Sequence, residues 1–255
     1  MIGHLAPNLG LVLETLSVPK SDPNFGGKQA AAWAHVRTAL DSNVPCYGWE
    51  LDVPEFYVLY GYDDAGYYYS GPGCDKGKGP KPWRDLGVSQ IGWLQVSTVK
   101  AVPPAPDPKT VKEALQAALA HAQNPRGLAP PYRCGLAGYD VWAKALREGK
   151  ADRFGQGYNG ACWSECRRMA VRFLKEAKER LAGQAGAAFD EAIAAYAAVS
   201  ENLETLAEQH PFQPPPAKGA PEETLADPEG ADPLMDAAAA ERKGLAALGA
   251  VIQAI

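Results

Sequence analysis

The five cysteines are the first residues to consider for chemistry, because a thiolate can act as a nucleophile or bind a metal. They stand at positions 46, 74, 134, 162 and 166. An odd number with irregular spacing is not typical of the disulfide framework of a secreted protein. Cys162 and Cys166 lie close in sequence, but no second pair of zinc ligands completes a site, so we expect no metal. We interpret both as small buried residues of a helix.

A second group of aromatic and hydrogen-bonding side chains falls near the expected starts of two helices. Its members are Tyr139, Asp140, Trp142, Tyr158, Asn159, Trp163, Glu165, Arg167 and Arg168. Helix N-termini present free N–H groups that favour anions, and Gly157 and Gly160 would let a ligand approach closely. This combination predicts a ligand pocket. The structural alternative has Asn159 as an N-cap, Trp163 in the core and Glu165 paired with an arginine.

The strands expected between residues 44 and 73 would position a further group of tyrosines. Residues 56–62, FYVLYGY, predict a strand because aromatic and β-branched residues suit half-buried strands. The turn at 63–66 predicts a hairpin in which Gly66 adopts a positive φ, and residues 67–69 return as the partner strand. Tyrosines of the two strands then pair across one face, as a packed aromatic wall or as a stacking floor for a ligand.

The remainder of the first half predicts a helix packed on this sheet. The side chains of residues 91–102 alternate in character along the chain, which predicts another strand. Residues 9–18 fit either a strand or a short helix. The glycine- and lysine-rich stretch 71–90 lacks the spacing of a phosphate-binding loop, and we expect a surface loop there. The helix is expected at 27–42, with a buried stripe of Ala30, Trp33, Val36 and Leu40.

The second half predicts an antiparallel helical bundle that follows a proline-rich linker at 103–108, with Asp107 as the N-cap of its first helix. The helices are expected at 108–123, 135–149, 155–183, around 189–206 and after residue 233. The stripe expected to be buried in the third helix comprises Trp163, Cys166, Ala170, Phe173, Ala177 and Leu181. The chain thus divides into an α+β half, 1–103, and a helical half, 104–255, which form either two domains or one integrated domain.

One part of this pattern is shared with a known family. Residues 54–73, PEFYVLYGYDDAGYYYSGPG, resemble the segment around the catalytic histidine of the papain-like bacterial cysteine peptidases and acyltransferases, among them the double-glycine peptidases and the acyltransferase of butirosin biosynthesis. The shared features are the two strands, Gly61-Tyr62-Asp63 between them and Pro72 after the second. The helical half also resembles the extension of bacterial proteins with this front end. The resemblance covers most of residues 28–182 and implies a papain-like fold with an antiparallel sheet.

The catalytic positions of that family carry other residues in this chain. Glu55 stands where the family has its histidine, and Gly71 where it has an aspartate before proline. The family nucleophile opens a helix upstream of the histidine, whereas Cys46 falls on a predicted strand. Because a thiol needs a base to become an activated nucleophile, the resemblance implies a member that has lost Cys–His hydrolysis. Glu55 would instead bind a cationic or hydroxyl-bearing ligand, or would be a solvated charge at a strand end.

The leading hypothesis is a non-catalytic protein that binds a small molecule or peptide at the junction of the two halves. Its candidate ligand-binding residues are Glu55, Tyr57, Tyr139, Asp140, Tyr158, Asn159, Trp163, Glu165 and Arg168. A buried cavity with aromatic and polar walls would support it. The first alternative, a cysteine-type acyltransferase or amide hydrolase with altered catalytic residues, would be supported by an accessible cysteine of low pKa. The second, a protein-interaction subunit, would be supported by a large exposed apolar patch.

Composition limits the partners of this chain. The net charge of −5 gives no support for nucleic-acid binding, and no apolar run approaches the length of a membrane span. The first residues lack the basic region and cleavage site of a signal peptide, so we expect a cytoplasmic protein. We expect neither a cofactor nor a metal, and a homodimer is left open.

Overall fold

The computed structural model describes residues 2–124, 132–213 and 223–255. The chain folds into two units, Met1–Ala105 and Pro106–Ile255, and each has its own hydrophobic core. The first unit is a sheet with helices, and the second is almost entirely helical. The predicted α+β class is thereby confirmed, with an antiparallel sheet, a helix packed on it and a helical part that follows.

Six strands form the sheet of the first unit. They are β1 (Leu11–Pro19), β2 (Cys46–Trp49), β3 (Phe56–Tyr62), β4 (Gly66–Ser70), β5 (Lys78–Pro82) and β6 (Trp93–Ala101). The helices of this unit are α1 (Ile2–Leu5) and α2 (Phe25–Asp41), and a 3-10 turn covers Ala6–Leu9. Neighbouring strands are antiparallel, in the order β1–β6–β2–β3–β4–β5. Residues 9–18, which fitted a strand or a helix, lie mostly in β1 because this segment pairs along its whole length with β6.

The stretch 71–90 is more regular than the surface loop predicted from the sequence. It contains β5 and a 3-10 turn at Trp83–Asp85. Prolines usually interrupt strands because they lack the N–H that a strand donates. β5 tolerates Pro80 and Pro82 since it is an edge strand with only β4 beside it. Because of these prolines, the sequence pattern did not predict this strand.

The turn between β3 and β4 differs from the prediction in the role of its glycine. The Asp63 carboxylate accepts hydrogen bonds from the N–H groups of Ala65 and Gly66 at 2.8 and 3.1 Å, which closes the turn. Gly66 does not have the predicted positive φ. A side chain is excluded there because its Cβ would overlap the Lys81 carbonyl oxygen of β5. The glycine is required by the close approach of a neighbouring strand.

Helix α2 packs on one face of the sheet, and the two form the core of the first unit. Trp33 is buried as predicted, but Ala30 is exposed. Gln29 is buried in its stead, because its amide donates hydrogen bonds to the carbonyl oxygens of Arg84 and Leu86 at 2.7 and 2.9 Å. A polar side chain with satisfied hydrogen bonds can face a core, which an apolar pattern does not predict.

Within its described residues the second unit contains five helices and a two-stranded ladder. They are α3 (Asp107–Gln123), α4 (Leu136–Arg147), β7 (Ala151–Asp152), α5 (Arg153–Arg180), α6 (Gly186–Gln209), β8 (Thr224–Leu225) and α7 (Ala231–Ala254). The predicted helices are confirmed in order, although Asp107 is the first residue of α3 and not its N-cap. The ladder was not predicted because two residues per strand leave no periodic pattern.

Ala177 of helix α5 and Leu181 directly after it are buried as predicted, but the earlier part of this helix turns a different side to the core. Trp163, Cys166 and Phe173 are exposed, although the pattern predicts their burial. The buried residues in the first half of this helix are Gln156, Gly157, Gly160 and Ser164. A Cβ on Gly160 would lie 3.2 Å from the Cα of Ala207 in α6. The two helix backbones are therefore too close for large side chains between them, and the bulky apolar residues point outward.

Candidate functional site

The face of the sheet opposite α2 carries exposed aromatic side chains. Successive residues of a strand alternate between its two faces. Tyr57 and Leu59 of β3 belong to the core that includes α2. Phe56, Val58 and Tyr60 therefore point the opposite way, and their exposed fractions are 46%, 57% and 53%. We call the surface formed by five residues of β2 and β3 the aromatic face: Tyr47, Trp49, Phe56, Val58 and Tyr60.

Pairing between β2 and β3 brings the aromatic face together. Trp49 is opposite Phe56, and Tyr47 is opposite Val58. The Phe56 ring packs edge-on against Trp49 and Tyr47, with centroid distances of 4.9 and 5.6 Å. Such packing stabilises a pair of rings by about 0.5–1.5 kcal/mol beyond the burial of area. The rings hold one another in position and leave Phe56 half-exposed.

A β-bulge places Tyr60 at the border of this face. The register between β3 and β4 shifts between Leu59 and Gly61, so Tyr60 is the extra residue. Its ring centroid lies 6.4 Å from that of Tyr68. Gly77 has a φ of +87°, and a Cβ there would overlap the Tyr60 hydroxyl. Tyr60 is thus fitted against a glycine turn while half of its surface stays open.

The bend between β2 and β3, next in sequence to residues of the aromatic face, carries the carboxylates of Glu50, Asp52 and Glu55. Asp52 is paired with Lys78 at 2.7 Å, and Glu50 accepts a hydrogen bond from the Ser89 hydroxyl at 2.6 Å. Glu55, the last residue of the bend, is exposed. Among the described residues, none forms a hydrogen bond or ion pair with its side chain. Glu55 is therefore a solvated charge in this structure, at a position where a cationic group can reach it.

Tyr57, another predicted ligand-binding residue, ties this bend to the segment after β4. Its side chain is 1% exposed. Its hydroxyl accepts a hydrogen bond from the Val53 N–H and donates one to the Pro72 carbonyl, both at 3.1 Å. Burial raises the pKa of this hydroxyl, so it stays protonated at neutral pH. Its ring also packs edge-on against Tyr69 at 5.3 Å. The inward tyrosines thus form the packed wall, whereas Tyr60 lies on the open face.

Two residues considered in the predicted resemblance to the papain-like family, Cys46 and Gly71, lie in surroundings that do not suit catalysis. Cys46 is 2% exposed, its thiol donates to the Val44 carbonyl at 3.3 Å, and burial raises its pKa to about 11. A nucleophilic thiol needs a lowered pKa and an accessible position. At Gly71 a Cβ would lie 2.8 Å from the Tyr57 ring. An aspartate there would therefore displace Tyr57.

In the second unit, Tyr139 joins a buried polar cluster that links four helices. Its hydroxyl donates to Glu241 Oε2 at 2.8 Å, and Arg167 Nε donates to the same oxygen at 2.7 Å. Tyr196 of α6 lies near these groups, where the charge of Glu241 acts on its hydroxyl. Burial, with the charge of Glu241, raises the pKa of both tyrosine hydroxyls, so they remain donors. The carboxylate is satisfied by these partners, which is the arrangement of a structural ion pair.

Sequence reasoning missed Glu241 although the sequence contains a signal for it. The residue lies three positions after Ala238 and three before Gly244, and both are buried in α7. A charged residue at the spacing of a buried stripe predicts a buried ion pair when an arginine is available elsewhere. The apolar pattern alone does not identify that arginine, because Arg167 is on another helix.

Asn159 lies inside α5 and not at its N-terminus. The helix begins at Arg153, and the Asp152 side chain caps it by accepting a hydrogen bond from the Gly155 N–H at 2.6 Å. The predicted N-cap role of Asn159 is therefore wrong. Backbone N–H groups this far into a helix are bonded to carbonyls of the preceding turn, so they are not free to bind an anion.

An aromatic group surrounds Tyr158, which is 48% exposed. Its ring centroid lies 6.1 Å from that of Phe154 and 5.8 Å from that of Phe212. A Cβ on the neighbouring Gly157 would lie 2.9 Å from the Pro211 carbonyl oxygen. The close approach that the sequence suggested for a ligand is thus made by the segment after α6.

The remaining predicted residues lie on the surface of the second unit. Asp140 is exposed. Glu165 and Arg168 form an exposed ion pair at 3.2 Å, as the structural alternative predicted. Trp163 is 42% exposed, with the Arg167 guanidinium 5.6 Å from its ring centroid. The predicted core position of Trp163 is therefore wrong.

The nine predicted binding residues are divided between the units, with Glu55 and Tyr57 in the first and the others in the second. The pocket predicted at the junction of the two halves stays a prediction. Across residues 2–124, 132–213 and 223–255, no group of three or more His, Cys, Asp or Glu residues is placed to share a metal ion. No described helix has the length and apolar character that crossing a membrane requires.

Comparisons with known proteins provide no assignment. No model of a known protein family matches the sequence, and no curated protein is significantly similar to it. The resemblance to the papain-like cysteine peptidases and acyltransferases therefore stays a prediction, based on residues 54–73 and the helical extension.

Proposed function

We propose that this chain is a non-catalytic binding protein that takes a peptide or small molecule on the aromatic face of its first unit. The observation that carries the proposal is the exposure of Phe56, Val58 and Tyr60, at 46%, 57% and 53%, side by side on one sheet. Single exposed apolar residues are ordinary on protein surfaces, but contiguous exposed patches mark binding sites. Aromatic side chains offer a large contact area at a low entropic cost.

The chemistry of the ligand follows from the groups around this face. Aromatic ring faces attract cations. Glu55 adds a carboxylate that has no partner among the described residues, and the net charge of −5 favours the approach of cations. We expect the ligand to combine an apolar or aromatic body with a cationic group. A peptide segment with alternating aromatic and lysine residues has this chemistry, whether it is free or part of a protein partner.

The state of Cys46 supports binding over cysteine catalysis. A thiol with a pKa of about 11 is almost entirely protonated at neutral pH, and this one is also buried. The thiolate is the nucleophilic form, so Cys46 is poorly suited to attack a carbonyl. Papain-like ancestry and a cytoplasmic location stay predictions from the sequence.

Two short peptides of matched size test the proposal. Acetyl-FKFK-amide has the expected chemistry, and acetyl-FEFE-amide differs from it in charge. Each peptide is titrated into the full chain, and the tryptophan fluorescence of the protein, to which Trp49 of the aromatic face contributes, is recorded. The titrations give both affinities. We expect the lysine peptide to bind about 5- to 30-fold more tightly, because each of its two cations gains about 0.5–1 kcal/mol from a ring or carboxylate.

Variants of exposed residues locate the site. Phe56→Ser combined with Tyr60→Ser should remove binding of the lysine peptide, because both exposed rings are lost. Tyr132→Ser, at a 71% exposed tyrosine of the second unit, is the matched control and should bind normally. Glu55→Gln should weaken the lysine peptide by about fivefold and leave a neutral peptide unaffected. Equal affinity for both peptides, or binding that survives the double substitution, would contradict the proposal.

A further inference from the structure

Strand β1 lies at one edge of the sheet, and among the described strands its neighbour is β6 alone. Two backbone hydrogen bonds mark the two ends of this ladder. The Val102 N–H donates to the Gly10 carbonyl at 2.9 Å, and the Lys20 N–H donates to the Gly92 carbonyl at 2.7 Å. In an antiparallel pair, only alternate residues direct their backbone groups to the neighbouring strand. The even-numbered residues of β1 therefore bond to β6, and the odd-numbered residues direct their N–H and C=O groups outward.

The outward groups in the middle of β1 belong to Leu13, Thr15 and Ser17. Within the described part of the chain, their backbone N–H and C=O groups have no hydrogen-bond partner. The edge is accessible, since Thr15 and Ser17 are exposed and Leu13 is half-buried. Outward donors and acceptors that recur every second residue, about 6.8 Å apart, match the backbone of another extended strand.

The opposite edge of the sheet is protected against such pairing. Strand β5 contains Pro80 and Pro82, which lack an N–H, and the charged residues Lys78 and Lys81. Proline and lysine are residues with which proteins keep an edge strand from pairing. In β1 the only proline is Pro19, the last residue, and lysine is absent. Two copies of this sheet can therefore join through their β1 edges, whereas β5 prevents further growth.

One antiparallel register pairs β1 along its whole length with β1 of a second copy. It places Thr15 opposite Thr15 of the second copy, on the two-fold axis, and Leu13 opposite Ser17. Because the outward residues are the odd-numbered ones, these pairs are the hydrogen-bonded positions of the new ladder. The backbone groups of Leu13, Thr15 and Ser17 in both copies thereby gain partners.

The side chains of β1 suit this register. The single charged residue of the strand, Glu14, comes opposite Leu16 of the second copy, so like charges do not meet across the contact. Val12 comes opposite Val18 of the second copy, and pairs of β-branched residues stabilise neighbouring strands.

Apolar residues at the two ends of β1 also meet in this register. Leu11, which is 37% exposed, comes opposite Pro19 of the second copy. Trp93 pairs with Pro19 from the other side and is 40% exposed. Pro19, Ile91 and Trp93 line an open groove at this end of the strand. Exposed apolar side chains of one copy thus approach an exposed apolar surface of the other, which favours a second copy as the occupant of this edge.

We propose that the outer edge of β1 binds β1 of a second copy of this chain, antiparallel, with Thr15 on the two-fold axis. Each strand gives and receives the same hydrogen bonds, so the assembly closes as a dimer. Paired residues of neighbouring strands point to the same face of a sheet. The aromatic faces of the two copies therefore lie on the same side of one continuous sheet. The contact does not depend on the proposed ligand binding, since β1 carries no residue of the aromatic face.

Sedimentation velocity of the full chain from about 1 to 100 µM measures the association, and wild-type protein should form a dimer within this range. Thr15→Pro should weaken the dimer by at least about tenfold, because proline removes an outward N–H and places its ring in the contact. The ladder with β6 does not use this N–H. Thr15→Val is the matched control: it keeps the N–H, loses only the hydroxyl bonded to Ser97, and should dimerise normally. Phe56→Ser should also leave the dimer intact.

Charge substitutions at the axis test the register independently of proline. Thr15→Lys alone and Thr15→Glu alone should each weaken the dimer by about tenfold, because like charges would lie directly opposite each other. An equimolar mixture of the two variants should form a heterodimer, since opposite charges then meet. This recovery is expected only where residue 15 faces residue 15 of the second copy, and it also shows that both variants are folded.

Hydrogen exchange of single amides, followed by NMR, identifies the edge itself. The amides of Leu13, Thr15 and Ser17 should be protected at about 100 µM and should exchange rapidly at high dilution or in Thr15→Lys. A chain that stays monomeric up to about 100 µM would overturn the proposal. So would a dimer that tolerates Thr15→Pro and both charge substitutions. Protection that is independent of concentration would show that another segment of the same chain occupies the edge, which contradicts the proposal as well.

Discussion

Arg167 and Glu241 form a buried ion pair in the second unit, with Arg167 Nε 2.7 Å from Glu241 Oε2. Their side chains are 21% and 6% exposed. The next residue, Arg168, pairs with Glu165 at 3.2 Å, but those side chains are 57% and 59% exposed. Two neighbouring arginines thus form chemically similar pairs in different surroundings, which permits a matched comparison of a buried and a surface charge.

Arg167→Met should lower the free energy of unfolding by about 3–5 kcal/mol, because the Glu241 carboxylate would stay buried without its cation. Arg168→Met should lower it by no more than about 1 kcal/mol, since water screens an exposed pair. Urea unfolding followed by circular dichroism measures both values. The double variant R167M/E241L should recover most of the loss, because no unpaired charge remains. Equal losses for the two single variants would mean that Glu241 is solvated, contrary to the structure.

Cys46 should be the slowest of the cysteines to be alkylated in the native protein. Its thiol is 2% exposed, and burial raises its pKa to about 11, so little thiolate is present at pH 8. Cys166 is exposed and should react first with iodoacetamide. In urea the two should react at similar rates, because the pKa of Cys46 returns to about 8.5 in an unfolded chain. Peptide mapping by mass spectrometry follows each site. Selective, rapid modification of Cys46 at pH 6 would instead indicate an activated thiolate and would support catalysis.

Gly71 should tolerate no side chain, although its backbone does not require glycine. A Cβ at this position would lie 2.8 Å from the Tyr57 ring, whereas a Cβ at Gly61 would lie 3.7 Å from Tyr68, an ordinary contact. Gly71→Ala should therefore lower the free energy of unfolding by about 1–3 kcal/mol through overpacking. Gly61→Ala, in the same hairpin, should change it by less than about 1 kcal/mol. Urea unfolding distinguishes them, and equal effects would show that Tyr57 moves aside without cost.

The sequence predicted most accurately those elements in which the spacing of apolar residues matches the spacing of buried residues. β3 covers Phe56–Tyr62, the same residues as the aromatic and β-branched run. Leu94 and Val96 of β6 are on one side of their strand, as the alternation predicted, and that side is buried. Phe189 and Tyr196 of α6 are buried at helical spacing. In each case a single neighbouring layer of the structure covers one face of the strand or helix. The spacing of apolar residues therefore agrees with their burial.

Contacts between distant segments determined the features that the sequence did not predict. Gln29 and Glu241 occupy core positions because partners far along the chain satisfy them, which a pattern of apolar residues cannot reveal. The close approach of Gly160 to α6 changed the expected orientation of the first half of α5, whereas Ala177 is buried as predicted. Among the candidate site residues, Tyr139 is buried in the polar cluster around Glu241, whereas Asp140, the next residue, is exposed. The aromatic face was missed as an exposed surface because alternation does not say which face a helix will cover.

Asp227 links the segment before α7 to the end of α6. Its carboxylate accepts a hydrogen bond from the Gly230 N–H at 2.8 Å and lies 2.7 Å from His210 Nε2. Burial by itself raises the pKa of Asp227, but the contacts with Gly230 and His210 outweigh it, and the pKa is lowered. A carboxyl group with a lowered pKa in the folded state binds fewer protons there than in the unfolded chain. It therefore stabilises the fold above its unfolded pKa of about 3.9.

Asp227→Asn should consequently lower the free energy of unfolding at pH 7 by about 1 kcal/mol. The difference from wild type should shrink as the pH falls below about 4, because the wild-type carboxylate is then protonated through its lowered pKa and loses its advantage. Urea unfolding at pH values from about 2 to 7 measures this difference. Asp232→Asn is the control, since the Asp232 side chain is 79% exposed and its nearest cation, Arg147, is 3.8 Å away. That variant should follow wild type at every pH. A difference for Asp227→Asn that stays constant down to pH 2 would show that the charge of Asp227 does not stabilise the fold.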